Sequence, residues 1–292
     1  MPLPRAILFD LDDTLISAYE RPDVAWRAVI AEVGTLLEPA DPERALGAIE
    51  ACAREFWSDA ARHQHWRQRL AEARRVIVAG AARALARDGQ PHWSEQAGVR
   101  LADRFTAYRE ERMALFPGAH RTLDALRSAG VRLALVTNGA AATQRPKIER
   151  FELAHRFAHV QIEGEHGFCK PEERAYRHAL AALDVQAHEA WMVGDNLEWE
   201  VSAPQRLGIY SIWNDTQRVG LPADSRVQPD RIIERLEQPR LQAFHQIVQL
   251  LDNREIRIHR LVDDGVHRHL GAPAEQVRVA HQPVARRVAG RA

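Results

Sequence analysis

A chain of 292 residues with 46% hydrophobic content is long enough to bury one large core or two ordinary ones. Its 40 basic and 40 acidic side chains cancel, which removes any overall field for drawing the protein onto nucleic acid or an anionic membrane, so a charged substrate has to be met by local groups. No run approaches the roughly 20 apolar residues of a membrane span, the apolar start MPLPRAILFD is cut short by Asp10 and does not read as a signal peptide, and Cys52 and Cys169 lie far apart without metal-ligand spacing. These features predict a cytoplasmic protein with both thiols as small buried hydrophobes.

In chain order, AILFDL (6–11) is a predicted strand that runs into three acids, Asp10, Asp12 and Asp13. An apolar strand gains nothing from carboxylates crowded at its tip, where repulsion raises the cost of ionising each one, so a cation is expected there. From about 17 to 112 the pattern is helical, as in DVAWRAVIAEVGTLL and RRVIVAGAARALARDG, with no convincing strand. This stretch is a helical insert between the first two strands, and Trp26, Trp57, Trp66 and Trp93 are expected to fill its own core. Within it, RHQHWRQR (62–69) gathers Arg62, His63, His65, Trp66, Arg67 and Arg69. His63 and His65 point to different sides of a helix and make no metal pair, and the stretch reads as a solvated face, the alternative being that part of it faces an anionic substrate.

Pro117 and Gly118 mark the return to alternating elements. Strands are predicted at VRLALVT (131–137), HVQIE (159–163), AWMVGD (190–195) and IYSIW (209–213), and helices at AHRTLDALRSAG (119–130), PEERAYRHALAALD (171–184) and LEWEVSAPQRLG (197–208). The alternation predicts an α/β, Rossmann-like parallel sheet flanked by helices, with its chemistry at the carboxyl ends of the strands. The expected division is a core formed by 1–16 and 113–251, a helical domain at 17–112, and an Arg- and His-rich tail at 252–292 with no catalytic role.

Polar residues stand at those strand ends. Asp10 and Asp12, two apart, point to one side, where a pair of carboxylates suits Mg²⁺ together with substrate phosphate; the same spacing also fits a plain turn or helix cap. VTNG (136–139) offers the Thr137 hydroxyl and successive turn amides around Asn138, groups that hold a phosphoryl oxygen, although Asn-Gly is also an ordinary turn. GDNLEWE (194–200) places Asp195 directly after a strand and Glu200 five residues on. Lys170 is the sharper signal, because only Lys147 and Lys170 are lysines among the 40 basic residues. A compact ammonium fits among carboxylates in a way that a planar guanidinium does not; the alternative is an exposed lysine before Pro171 at a helix start.

DLDDT, VTNG, Lys170 with Pro171, and GDNLEWE, in this order and at these separations, resemble the haloacid dehalogenase (HAD) superfamily, in particular its phosphatase branch with a helical cap of the C1 type between the first two motifs. The resemblance covers roughly residues 5–250. It implies that Asp10 attacks phosphorus and carries the phosphoryl group, and that Asp12 protonates the leaving oxygen and then takes a proton from water. It further implies that Thr137, with Asp13 and Asn138, holds the phosphate, that Lys170 offsets its charge, and that Mg²⁺ lies on Asp10, the Asp12 carbonyl and Asp195. Glu200 stands where the family often has aspartate, and would support Lys170 or a metal-bound water. The family's dehalogenases lack an acid at the Asp12 position, and a phosphonate hydrolase would want a cap lysine, of which 17–112 has none. The expected function is a Mg²⁺-dependent phosphatase acting on a small phosphomonoester through an aspartyl phosphate, with the cap choosing among sugar phosphates, phosphoglycolate, nucleotides and acylneuraminate phosphates. The alternatives are a phosphomutase of the same superfamily and a non-catalytic binding or regulatory protein on the same fold. No nucleic-acid or membrane partner is expected.

Overall fold

The computed structural model describes residues 3–18 and 21–236, which fall within a compact unit spanning Met1–Val248. The tail for which no catalytic role is expected lies outside the described residues. Strand β1 (Ala6–Phe9) and the short β2 (Ile16–Ser17) lead into helices α1 (Pro22–Val33), α2 (Pro42–Ser58), α3 (Ala60–Trp66), α4 (Leu70–Arg87) and α5 (Glu95–Arg112). The chain returns through β3 (Ala114–Leu115), α6 (Ala119–Ser128), β4 (Arg132–Thr137), α7 (Ala141–Arg150), β5 (His159–Ile162), α8 (Glu163–His166) and α9 (Glu173–Ala182). It continues with β6 (Ala190–Gly194), a π-helical stretch Leu197–Ser202, α10 (Ala203–Gln205), β7 (Tyr210–Asn214) and β8 (Arg231–Ile233).

Six strands form a parallel sheet in the order β5-β4-β1-β6-β7-β8. The predicted α/β Rossmann-like sheet is therefore present. Its central strands are buried on both faces, which is why they read as continuous apolar runs rather than as alternation. On one face Ala6, Leu8, Ala134, Val136 and Met192 pack against Tyr176, Ala179, Leu180 and Leu183 of the α9 region. Phe9 is in register with Leu135 and Val193, so β1, β4 and β6 end side by side. Their next residues supply the site.

The helices α1 to α5 carry their own core, in which Trp26, Ile30, Leu46, Ile49, Ile77 and Leu101 are buried. Trp26 stacks on Phe105 with ring centroids 3.6 Å apart, and Trp93 is buried while Trp57 and Trp66 pack at the edge of this core. Cys169 is buried, as expected of both thiols, but Cys52 is only partly so.

Three features were not expected from sequence. β8 is an edge strand of three residues, below the length at which a pattern stands out, and β2 pairs with β3 as a two-stranded antiparallel ribbon at the join of the helical segment. The predicted helix 197–208 is instead a π turn followed by one short α turn, since Pro204 has no N–H to give the Glu200 carbonyl. Among the described residues no helix is long and apolar enough to cross a membrane.

Candidate active site

Asp10 leaves β1 with its amide bonded to the Val193 carbonyl at 2.9 Å, which fixes it between the ends of β4 and β6. Its Oδ2 accepts from the Thr14 hydroxyl at 3.1 Å, and its Oδ1 accepts from Lys170 Nζ at 2.5 Å. Lys170 is 0% exposed, and its ammonium also lies 2.7 Å from Glu200 Oε1, as an ion pair off the line of a good hydrogen bond. Burial alone would lower the Lys170 pKa, but the two carboxylates outweigh it and the net shift is upward. Burial likewise pushes the Asp10 carboxyl up, against the pull of Lys170, and raises Glu200 to about 7. A lone buried charge would be prohibitive; this ammonium stays because two acids share it.

The backbone is shaped to allow that arrangement. Asn138 clasps the Lys170 main chain in both directions, Nδ2 donating to its carbonyl at 2.7 Å and Oδ1 accepting from its amide at 2.9 Å. Glu200 folds back onto the end of β6, where its Oε2 accepts from the Asn196 amide at 2.8 Å. A Cβ on Gly194 would stand 1.9 Å from Glu200 Cγ, so glycine is required for this approach. Asn196 caps the π turn by accepting from the Glu198 and Trp199 amides.

Asp12 is held from α7. Its Oδ1 pairs with Lys147 Nζ at 2.7 Å, and its Oδ2 accepts from Gln144 Nε2 at 2.8 Å. The second hydrogen of that amide goes to Thr137 Oγ1 at 2.6 Å, so one buried glutamine ties the acid to the hydroxyl at the end of β4. Lys147 and Gln144 were not picked out from sequence. The signal was available, because Lys147 is the other of the two lysines and the residues lie three apart on one helix face.

Asp195 follows β6 and lines the same pocket as Asp10 and Asp12. Among the described residues no donor reaches its carboxylate, and burial followed by repulsion from Asp10, Glu200 and Asp13 lifts its pKa well above the usual range. Asp10 and Glu200 share an ammonium and Asp12 has another, while Asp195 has none, and this set of oxygen donors suits a hard divalent cation.

The side chains of two residues expected at the phosphate also have protein partners. Asp13, at φ 56, accepts the Ala18 amide on Oδ1 at 2.7 Å and gives its own amide to the Ile16 carbonyl at 2.7 Å; it braces the turn after β1 while lining the pocket. The Asn138 side chain is spent on Lys170, which leaves its main chain for a ligand.

A cavity of about 390 Å³ opens over these acids. Its far wall comes from the helices and includes Trp26, Trp57, Leu70, Ile77 and Phe105 along with His63, Arg67, Arg74 and Arg109. Trp26 and Trp57 therefore serve the pocket as well as the helical core. The stretch 62–69 divides by face, contrary to the solvated reading: Arg62, His65 and Arg69 are exposed, whereas His63 and Arg67, four apart, turn inward. Arg67 meets the buried Glu163 at 2.7 Å and Cys169 Sγ at 2.7 Å. Glu163 in turn accepts the Gly139 amide at 2.8 Å and Gln68 Nε2 at 2.9 Å, joining the helical wall to the turn after β4. Burial and the Glu172 hydrogen bond raise the Cys169 thiol to about 12, which makes it a poor nucleophile.

Residues 4–208 match the family model described as haloacid dehalogenase-like hydrolase. The chain is 34% identical over 245 residues to a phosphoserine phosphatase from Thermus thermophilus, covering 77% of this chain and 94% of that one. It is 30% identical over 209 residues to a glyceraldehyde 3-phosphate phosphatase from Pyrococcus abyssi, covering 72% and 80% respectively. The fold is similar to that of the magnesium-bound HAD-hydrolase YfnB from Bacillus subtilis, with a TM-score of 0.58 at 20% identity over 80% of this chain and 96% of that one.

Proposed function

The chain belongs to the haloacid dehalogenase-like hydrolases and is a phosphoric monoester hydrolase, and from that premise we propose that it transfers the phosphoryl group of a small phosphomonoester to Asp10 and then to water. The observation that carries the reading is the Lys170 ammonium, fully buried and wedged between Asp10 and Glu200 beside an unpaired Asp195. A surface lysine needs no such enclosure.

Asp10 forms the new P–O bond as the ester P–O bond breaks, and the departing oxygen takes a proton from Asp12. Lys170 keeps Asp10 ionised and oriented in a dry site, where a positive charge is worth more than in water. In the second half-reaction Asp12 accepts a proton from the water that attacks phosphorus. The pairing of Asp12 with Lys147 and Gln144 matches this ionised, proton-accepting state. Thr137, held by Gln144, binds a phosphoryl oxygen together with the Asn138 main-chain amide, while the Gly139 amide stays on Glu163. Mg²⁺, held by the Asp10 carboxylate, the Asp12 carbonyl and Asp195, supplies charge neutralisation to the phosphoryl oxygens when bound.

The helices from α1 to α5 act as the cap that selects the alcohol portion of the substrate. The largely apolar wall favours a phosphomonoester whose alcohol carries an aromatic or aliphatic body over one as small and polar as phosphoserine. The test is hydrolysis of a panel of phosphomonoesters by chelator-treated protein, with and without Mg²⁺, for wild type and Asp195→Ala. The expected result is activity that requires Mg²⁺, with Asp195→Ala needing a higher concentration. Full activity in metal-free protein would overturn the metal assignment, and a panel hydrolysed no faster than by buffer would overturn the phosphatase reading.

A further inference from the structure

On the opposite edge strand, away from the pocket lining, His159 of β5, His166 of α8 and His178 of α9 converge. One ring nitrogen from each lies within 4.8 Å of those of the other two, and the ring centroids are 5.0 to 6.0 Å apart. We propose that these three imidazoles form a structural site for a Zn²⁺-class transition metal, separate from the phosphoryl-transfer site.

The hydrogen bonds set the tautomers. Gln161 Nε2 donates to the Ala175 carbonyl at 3.0 Å, which turns its Oε1 toward His178 Nδ1 at 2.8 Å. That oxygen can only accept, so His178 carries its proton on Nδ1. His166 Nδ1 lies 3.1 Å from the Ile162 carbonyl and must likewise donate. Both Nε2 atoms are left with bare lone pairs. His159 Nε2 is buried with no hydrogen-bond partner among the described residues, an arrangement that costs free energy unless something accepts its lone pair or proton. Metal-bound imidazoles are held in the same manner, with the other ring nitrogen donating to a carbonyl. Burial and the neighbouring imidazoles lower the pKa values of His159 and His178, which favours the neutral, ligating form.

The chemistry selects the ion. Three neutral nitrogens suit Zn²⁺, Co²⁺ or Ni²⁺ and not Mg²⁺. At a metal–nitrogen length of 2.0–2.1 Å the nitrogens stand roughly 3.3 Å apart, so the rings need to close by a modest amount. Arg174, whose charge helps to lower the His178 pKa, rests over the Phe168 ring. The segment between His166 and His178 carries Lys170, so a metal here would pin both ends of the loop that delivers the buried ammonium.

The test uses the full chain, stripped with chelator and held in excess Mg²⁺, with Co²⁺ as a visible-absorbing probe and Zn²⁺ as competitor. We expect one Co²⁺ per chain with tetrahedral-type absorption, displaced by Zn²⁺, and a rise in melting temperature of roughly 5 °C or more at a hundredfold excess of Zn²⁺ over Kd. His178→Gln and His166→Gln should abolish the absorption while their metal-free melting shows them folded, and His188→Gln should retain it. Independently of any variant, Zn²⁺ must shift the imidazole nitrogen resonances of His159, His166 and His178 together in the wild type. Failure of those three resonances to shift, or absorption that survives both variants, overturns the site.

Discussion

The acids at the strand tips are nearly all engaged by a charged or hydrogen-bonding partner, whereas the helical wall opposite presents Trp26, Trp57, Leu70, Ile77 and Phe105. In the floor each side chain answers another: Lys170 lies between Asp10 and Glu200, Lys147 and Gln144 grip Asp12, and Asn138 holds Lys170 by its backbone. The apolar part of the wall has few such constraints, because apolar contacts are non-directional and tolerate different shapes. The difference separates two tasks. Changes in the floor should lower kcat on every substrate, and changes in the wall should shift KM between substrates with kcat preserved.

The largest effect is expected at Lys170. Lys170→Met strands Asp10 and Glu200 as uncompensated buried carboxylates, and breaking such a pair costs about 3–5 kcal/mol, so the melting temperature should fall by roughly 10 °C. Lys170→Arg keeps the charge, but a planar guanidinium has no room in a fully buried slot; kcat should drop about 10²- to 10³-fold on all substrates. Unchanged kcat in Lys170→Arg would break the comparison at its centre.

Next is Lys147→Met, which frees Asp12 from its ammonium while Gln144 still holds it. A loss of about 10- to 100-fold in kcat is expected, steeper for alkyl phosphates, whose leaving oxygen needs a proton, than for nitrophenyl phosphate, whose leaving group does not. An equal loss on both would assign Lys147 to the fold rather than to the orientation of Asp12.

How much of this was legible in the sequence follows from the range of each interaction. The central strands announced themselves because parallel strands buried on both faces must be continuous apolar runs, and Asp10, Thr137 and Asp195 could be placed because Asp10 and Asp195 directly follow one and Thr137 ends one. Lys170 stood out by rarity. The same rarity applied to Lys147, but its partner Asp12 is far away in sequence, and nothing in the local pattern of α7 records the contact. Asp13 and Asn138 were expected to touch phosphate because of the motifs they occupy, yet their side chains are used in holding the turn after β1 and the Lys170 backbone. Arg67 was hidden because an inward and an outward face are interleaved along 62–69, and only the position of Glu163 separates them. The three histidines of β5, α8 and α9 carry no spacing signature, since the turn of the chain brings them together.

The smallest effect sharpens the wall. Trp57→Ala should raise KM about tenfold for an aryl phosphate, the cost of roughly 1.4 kcal/mol of lost aromatic contact, and leave kcat and the hydrolysis of phosphoserine nearly unchanged. A fall in kcat on both substrates would mean that the wall shares in the chemistry.

The most direct measurement is to quench the wild-type protein with acid during steady turnover of a phosphomonoester, digest it, and locate the phosphoryl group by mass spectrometry. The predicted result is a phosphoryl group on the peptide containing Asp10, at Asp10 itself, and none in Asp10→Asn, which should remain folded, with Lys170 still paired to Glu200, and show no turnover. Turnover without label on Asp10, or substantial activity in well-folded Asp10→Asn, would contradict the account.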